Sequence, residues 1–84
     1  MNQILEILQN IRPEFDFSTS NNYFADGMLD SFDMVLLVNE IEKVYNISIR
    51  GLDIIPENFN SLSSIEQLLA KYGVDRTPFV YPSV

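Results

Sequence analysis

Nothing in this chain can staple it. Among 84 residues there is neither cysteine nor histidine, so disulfides and zinc sites built from thiolate and imidazole are both ruled out. A chain of this length buries only about 60–65% of the surface it exposes when unfolded. Whatever it folds into is therefore held by side-chain packing alone. With 46% hydrophobic residues it has the material for one core, and its length supports one domain.

The same absences narrow function. Without His or Cys, the Ser-His-Asp and Cys-His arrangements of nucleophilic catalysis cannot be assembled. Gly27, Gly51 and Gly73 lie too far apart to build a glycine-rich phosphate loop. Asp26, Asp30 and Asp33 cluster, but their spacing is not that of a calcium loop. The chain is expected to be no enzyme by itself. Twelve acidic residues against five basic ones leave a net charge of −7. That field repels nucleic-acid backbones and anionic membrane surfaces and favours partners with basic patches. The opening MNQILEILQN lacks a basic leader, and no run reaches the roughly 18–20 apolar residues of a membrane span. The expectation is a cytoplasmic monomer without membrane insertion.

Periodicity places the elements. Ile4, Ile7, Leu8 and Ile11 have helical spacing, so a first amphipathic helix is predicted, with Asn2 as its cap and Pro13 as its stop. From Pro13 to Asp30 the pattern breaks, and Phe15, Phe17, Tyr23 and Phe24 are expected to cover one end of the core from a long ordered loop. A second helix is predicted over 31–45, with Asp30 as N-cap, Asp33 near the positive end of the helix dipole, and Asn46 at the C-terminus. One short turn is expected near Glu57-Asn58-Phe59. The last helix is predicted to start at Ser63, with Ser63 and Glu66 as a capping box. Its core stripe is Ile65, Leu68, Leu69 and Tyr72, ended by Gly73. These elements make an all-α bundle of three main helices and one short one over residues 1–75. Residues 76–84, with two prolines and no periodicity, are expected to form an extended or disordered tail.

The second helix carries two apolar stripes. Met34, Leu37, Val38, Ile41 and Tyr45 share one face and belong in the core. Phe32, Val35, Leu36 and Asn39 share another, continued by Glu42 and Lys43. A surface helix needs only one apolar face. The second suits either fuller burial or a partner, and the charges along it favour exposure as a docking surface.

The segment Asp26-Gly27-Met28-Leu29-Asp30-Ser31-Phe32-Asp33-Met34-Val35 resembles the modification site of the acyl carrier protein family. Leu37, Val38, Ile41, Glu42 and Tyr45 resemble that family's second helix, and Ile55 to Ser61 followed by Ile65 its third-helix region, so the likeness covers most of 1–73. It implies that Ser31 receives 4'-phosphopantetheine covalently from coenzyme A, with Asp30 as motif residue and helix cap. It also implies acyl or aminoacyl groups held on that arm as thioesters. The implied partners are a phosphopantetheinyl transferase, an acyl- or aminoacyl-activating enzyme, and a downstream acyltransferase or synthase. Phe32, Val35, Leu36, Asn39 and Glu42 are then the partner-binding face, with Asp33, Glu40 and Glu42 as further acidic candidates. Partial shelter of the acyl chain between helices is a further expectation. There are departures: Phe32 replaces the usual leucine, Leu36 stands where fatty-acid carriers have a glutamate, Lys43 adds a positive charge, and the 47–61 connection is longer. They suggest a dedicated carrier of aminoacyl, D-alanyl or polyketide type. The alternative is a cofactor-free helical interaction domain or a regulatory subunit.

Overall fold

Residues 3–74 are described by a computed structural model, so Asn2 and the expected 76–84 tail lie outside the described residues. The first helix, α1, spans Gln3–Ile11 and turns Ile4, Ile7 and Leu8 inward. It stops where Pro13 disfavours helical geometry for the residue before it. Arg12 still donates its N–H to Leu8 O at 2.9 Å, so its backbone is fixed to the end of α1.

The long connection that follows is ordered. Asp16 caps a 3₁₀ turn at Phe17–Thr19 by accepting from Ser18 N. Phe17 and Tyr23 are fully enclosed and meet edge to face, with ring centroids 5.1 Å apart. Phe15 packs on Phe17 in the same manner. Phe15 and Phe24 are only partly buried, against the same core. The aromatics thus cover the core from the loop, as their scatter in the sequence suggested. Tyr23 N–H donates to Asn60 O at 2.7 Å, which ties the middle of the loop to the turn before the last helix.

Helix α2 spans Ser31–Tyr45, and Met34, Leu37, Val38 and Ile41 are its buried stripe. Tyr45 is half-buried against them. Asn46 ends α2 in the left-handed conformation, φ 55°, which asparagine tolerates better than most residues. A 3₁₀ turn at Gly51–Asp53 and the short helix α3, Pro56–Phe59, follow. Pro at the first position of α3 loses no hydrogen bond there, since that N–H has no helical acceptor.

The last helix, α4, spans Leu62–Lys71 and buries Ile65, Leu68 and Leu69. Its cap is Ser61, not Ser63: Ser61 Oγ accepts Ser64 N–H at 3.1 Å. Asn60 Oδ1 takes the Ser64 hydroxyl at 2.9 Å, so a cap two residues earlier engages Ser64 through both its N–H and its hydroxyl. Gly73, at φ 82°, follows the helix. Leu8, Leu37, Ile41, Phe59 and Ile65 are fully buried at the centre. α1 packs on α2, and α3 on both α2 and α4. Among the described residues the architecture is all-helical, three main helices and one short one. No described helix is long and apolar enough to cross a membrane.

Candidate functional site

A tight turn delivers the chain to the start of α2. Met28 and Leu29 both donate their N–H groups to Tyr23 O, at 2.8 and 3.2 Å, and Gly27 donates to Phe24 O at 3.1 Å. Gly27 sits at φ 74°, a conformation that L residues with a Cβ seldom adopt. The turn buries Met28 and Leu29 and leaves Asp30 at the surface.

From there the backbone is held by a reciprocal cap. Asp30 Oδ1 accepts Asp33 N–H at 2.9 Å, and Asp33 Oδ2 accepts Asp30 N–H at 3.2 Å. Two of the donors that a helix start leaves unpaired are thereby satisfied. The Asp33 N–H, with the charge of Arg12 behind it, holds the Asp30 carboxyl below the usual carboxylate range.

Asp33 is placed differently from the sequence expectation. It was a candidate for an acidic docking surface, but it is 4% exposed and faces inward. Arg12 reaches it from the end of α1, with Nε and Nη2 each 2.9 Å from Asp33 Oδ2. The same guanidinium approaches Asp30 Oδ2 at 3.6 Å and Glu14 Oε2 at 3.2 Å. Bonding to Asp33 is the main reason that Arg12 is held more firmly in its charged form than usual. Asp26, the third member of the acidic cluster, accepts from the Ser20 hydroxyl. The cluster is dispersed into three local roles.

Ser31 occupies the first position of α2 and is exposed. Its hydroxyl has no hydrogen-bond partner among the described residues. It stands beside the positive end of the longest helix dipole, where a phosphodiester is favoured. Arg12 offsets part of the negative charge of Asp30, Asp33 and Glu14. A serine that is exposed, unpaired and held by a fixed backbone fits the attachment of a phosphodiester-linked arm.

Beyond Ser31 the second stripe is open to solvent. Phe32 is 69% exposed, Val35 50% and Leu36 36%, and Asn39 is exposed with them. Glu42 departs from that face: it is half-buried and its Oε2 accepts Ile49 N–H at 2.8 Å, so this carboxylate closes the loop after α2. Glu40 pairs with Lys43 at 3.2 Å.

No protein-family model, no curated protein and no solved structure matches this chain.

Two features had no signal in the sequence. Arg12 belongs to no motif and precedes a proline, so only the tertiary approach of α1 to α2 shows its place beside the Asp30–Asp33 cap. Leu52, 89% exposed, rides on the second 3₁₀ turn. That turn is pinned by Asp53, which accepts the Tyr72 hydroxyl and lies 3.5 Å from Lys71 Nζ. Asn58 Nδ2 also donates to Asp53 O at 2.8 Å.

Proposed function

We propose that this chain is a non-catalytic acyl carrier that accepts 4'-phosphopantetheine on Ser31 and presents acyl or aminoacyl groups to partner enzymes. The observation that carries the proposal is the Ser31 hydroxyl: exposed, without a hydrogen-bond partner among the described residues, and at the first position of the longest described helix, behind the Asp30–Asp33 cap. In loading, Ser31 Oγ forms a bond to the phosphorus nearest the pantetheine, and the pyrophosphate linkage of coenzyme A breaks. Adenosine bisphosphate leaves, and the serine proton passes to the transferase. The attached arm then supplies the thiol that this cysteine-free chain lacks. The chain's own residues contribute a fixed attachment point and a surface.

That surface is the Phe32–Val35–Leu36 stripe with Asn39. Contiguous exposed apolar side chains on one helix face mark contact with another protein. The net charge of −7 suits partners whose apolar depression is rimmed by basic residues. Such partners are the transferase, the activating enzyme and a downstream acyltransferase or synthase.

The same exposed stripe also favours a second reading, a cofactor-free interaction domain or regulatory subunit. Intact mass spectrometry after incubation with coenzyme A and a broad-specificity phosphopantetheinyl transferase separates the two. One added phosphopantetheine that maps to Ser31 supports the carrier. An unmodified chain, or modification mapped to Ser61, Ser63 or Ser64, removes it.

A further inference from the structure

We propose that Arg12 is a positioning residue for the Ser31 hydroxyl, acting through the buried carboxylate of Asp33. The inference rests on Ser31 being the acceptor.

As the first residue of α2, Ser31 is oriented by the backbone on either side of it. Asp30 precedes it in an extended conformation, φ −125° and ψ −174°. The two halves of the cap fix that geometry, and they differ in kind. Asp30's carboxylate is exposed and finds water if its bond to Asp33 N–H breaks. Asp33's carboxylate is buried, and one oxygen, Oδ2, accepts from Asp30 N–H and from Arg12 Nε, with Arg12 Nη2 2.9 Å away as an ion pair. The inward half of the cap is therefore held from outside the helix.

Arg12 is a firm anchor. Its backbone continues the last turn of α1 by bonding to Leu8 O, and Pro13 restricts the chain directly after it. Its planar fork matches a carboxylate in a way that an ammonium group does not. Remove it, and Asp33 is a buried anion close to a second carboxylate with no cation beside it. That state is costly. The carboxylate escapes by rotating towards water, which gives up Asp30 N–H and frees the turn that carries Ser31. Arg12 is also the cation that reduces the negative field an incoming anionic cofactor meets at this end of α2.

The test uses the full chain, coenzyme A and a broad-specificity transferase, at a temperature well below every Tm. Wild type, Arg12→Gln, Arg12→Lys and Ile49→Ala are compared. Ile49 is buried and its N–H sits on Glu42, eleven residues along α2 from Ser31, which puts it roughly 16 Å away at about 1.5 Å per residue. It serves as a destabilised control. Arg12→Gln is expected to lower kcat/KM about ten-fold, chiefly in kcat, since misplacement of a reacting group acts on the bound complex. Arg12→Lys recovers part of the loss. Ile49→Ala loads at the wild-type rate although its Tm falls as far or further. Hydrogen exchange at the amides of Asp30 and Asp33 rises in Arg12→Gln and not in Ile49→Ala. Loading of Arg12→Gln within about two-fold of wild type, or an equal fall in Ile49→Ala, overturns the inference while the carrier proposal stands. Failure of the wild-type chain to load overturns the carrier proposal, and this inference with it.

Discussion

Leu36 and Leu37 are neighbours on α2 with opposite surroundings, and truncating each to alanine measures the two faces of the helix in one background. Leu37 is fully buried, whereas Leu36 is 36% exposed. Leu37→Ala removes enclosed methyl groups and leaves a void among Leu8, Ile41 and the rest of the buried cluster. Changes of this kind cost about 2–5 kcal/mol, depending on how far the site collapses. Leu36→Ala strips atoms that already contact water in part, and it is expected to cost less than about 1 kcal/mol. At roughly 0.05–0.15 kcal/mol per residue, a domain of this size has a total of about 4–12 kcal/mol, so the Leu37 change consumes a large share. A loss of about 2 kcal/mol already lowers Tm by roughly 8–16 °C in a domain of this length. Urea titrations followed by far-UV circular dichroism suit a chain without tryptophan. With a slope of about 1 kcal/mol/M or slightly more, the midpoint moves by about 1–2 M or more for Leu37→Ala and by under about 1 M for Leu36→Ala. Equal shifts for the two variants would show that the faces of α2 are wrongly assigned.

Ser31→Ala is expected to keep the far-UV spectrum and Tm of the wild type, because the exposed hydroxyl bonds to none of the described residues, and to lose phosphopantetheine loading; loading at the wild-type rate would unseat Ser31. Leu36→Glu should weaken acyl loading by the cognate activating enzyme, since truncation of a central apolar anchor commonly costs about 2 kcal/mol, roughly thirty-fold, and a buried charge at least as much. Transfer to Ser31 should suffer less, and unchanged activity with the activating enzyme removes Leu36 from the docking face. Tyr72→Phe deletes the hydroxyl that donates to Asp53 and accepts Arg50 N–H at 2.9 Å. Bonding to Tyr72 is the main reason that the Asp53 carboxyl lies below the usual range, with Lys71 adding to it. A carboxyl whose folded pKa is depressed contributes stability above its unfolded value, about 3.9, and that contribution is lost as pH falls through the folded value. The stability gap between wild type and Tyr72→Phe should be widest above about pH 5 and narrow towards pH 3; a gap that does not change across that range refutes the assignment.

The bounds of α2 were legible because local signals agree there. Asp30 caps it, the apolar spacing runs unbroken to Tyr45, and Asn46 accepts the left-handed conformation that ends it. The start of α4 was misplaced because Ser61, Ser63 and Ser64 are all plausible caps. The choice among them depends on Asn60 and on how the preceding turn packs. Asp33 shows the limit most plainly. Spacing places it at the exposed first turn of a helix, and only the approach of Arg12, 21 positions away in the chain, turns it inward. Glu42 is similar: the helical offset puts it on the open stripe, yet its carboxylate is taken by an N–H of the following loop. Patterns along a chain report which face is apolar. They do not report which charge will be claimed by a residue from another element.

The bond from Tyr23 to Asn60 has a consequence for how such a chain tolerates change in length. It divides the connection between α1 and α2 into two shorter spans, one ending at the buried Phe17–Tyr23 pair and one running from it to Asp30. The second leads directly into the turn that carries Ser31, and the first reaches it through Arg12, which meets Asp30 and Asp33, and through the Ser20 hydroxyl, which donates to Asp26. Closing a flexible loop grows costlier only with the logarithm of its length, about 0.6 kcal/mol for each doubling. Extra residues near Ser18 to Asn21, where the side chains are largely at the surface, are therefore cheap: they put at risk the exposed Ser20–Asp26 bond but not the Asp30–Asp33 cap or its contact with Arg12. Extra residues between Phe24 and Leu29 shift the register of the cap itself. Insertions that preserve loading should fall before Tyr23, and those that abolish it after.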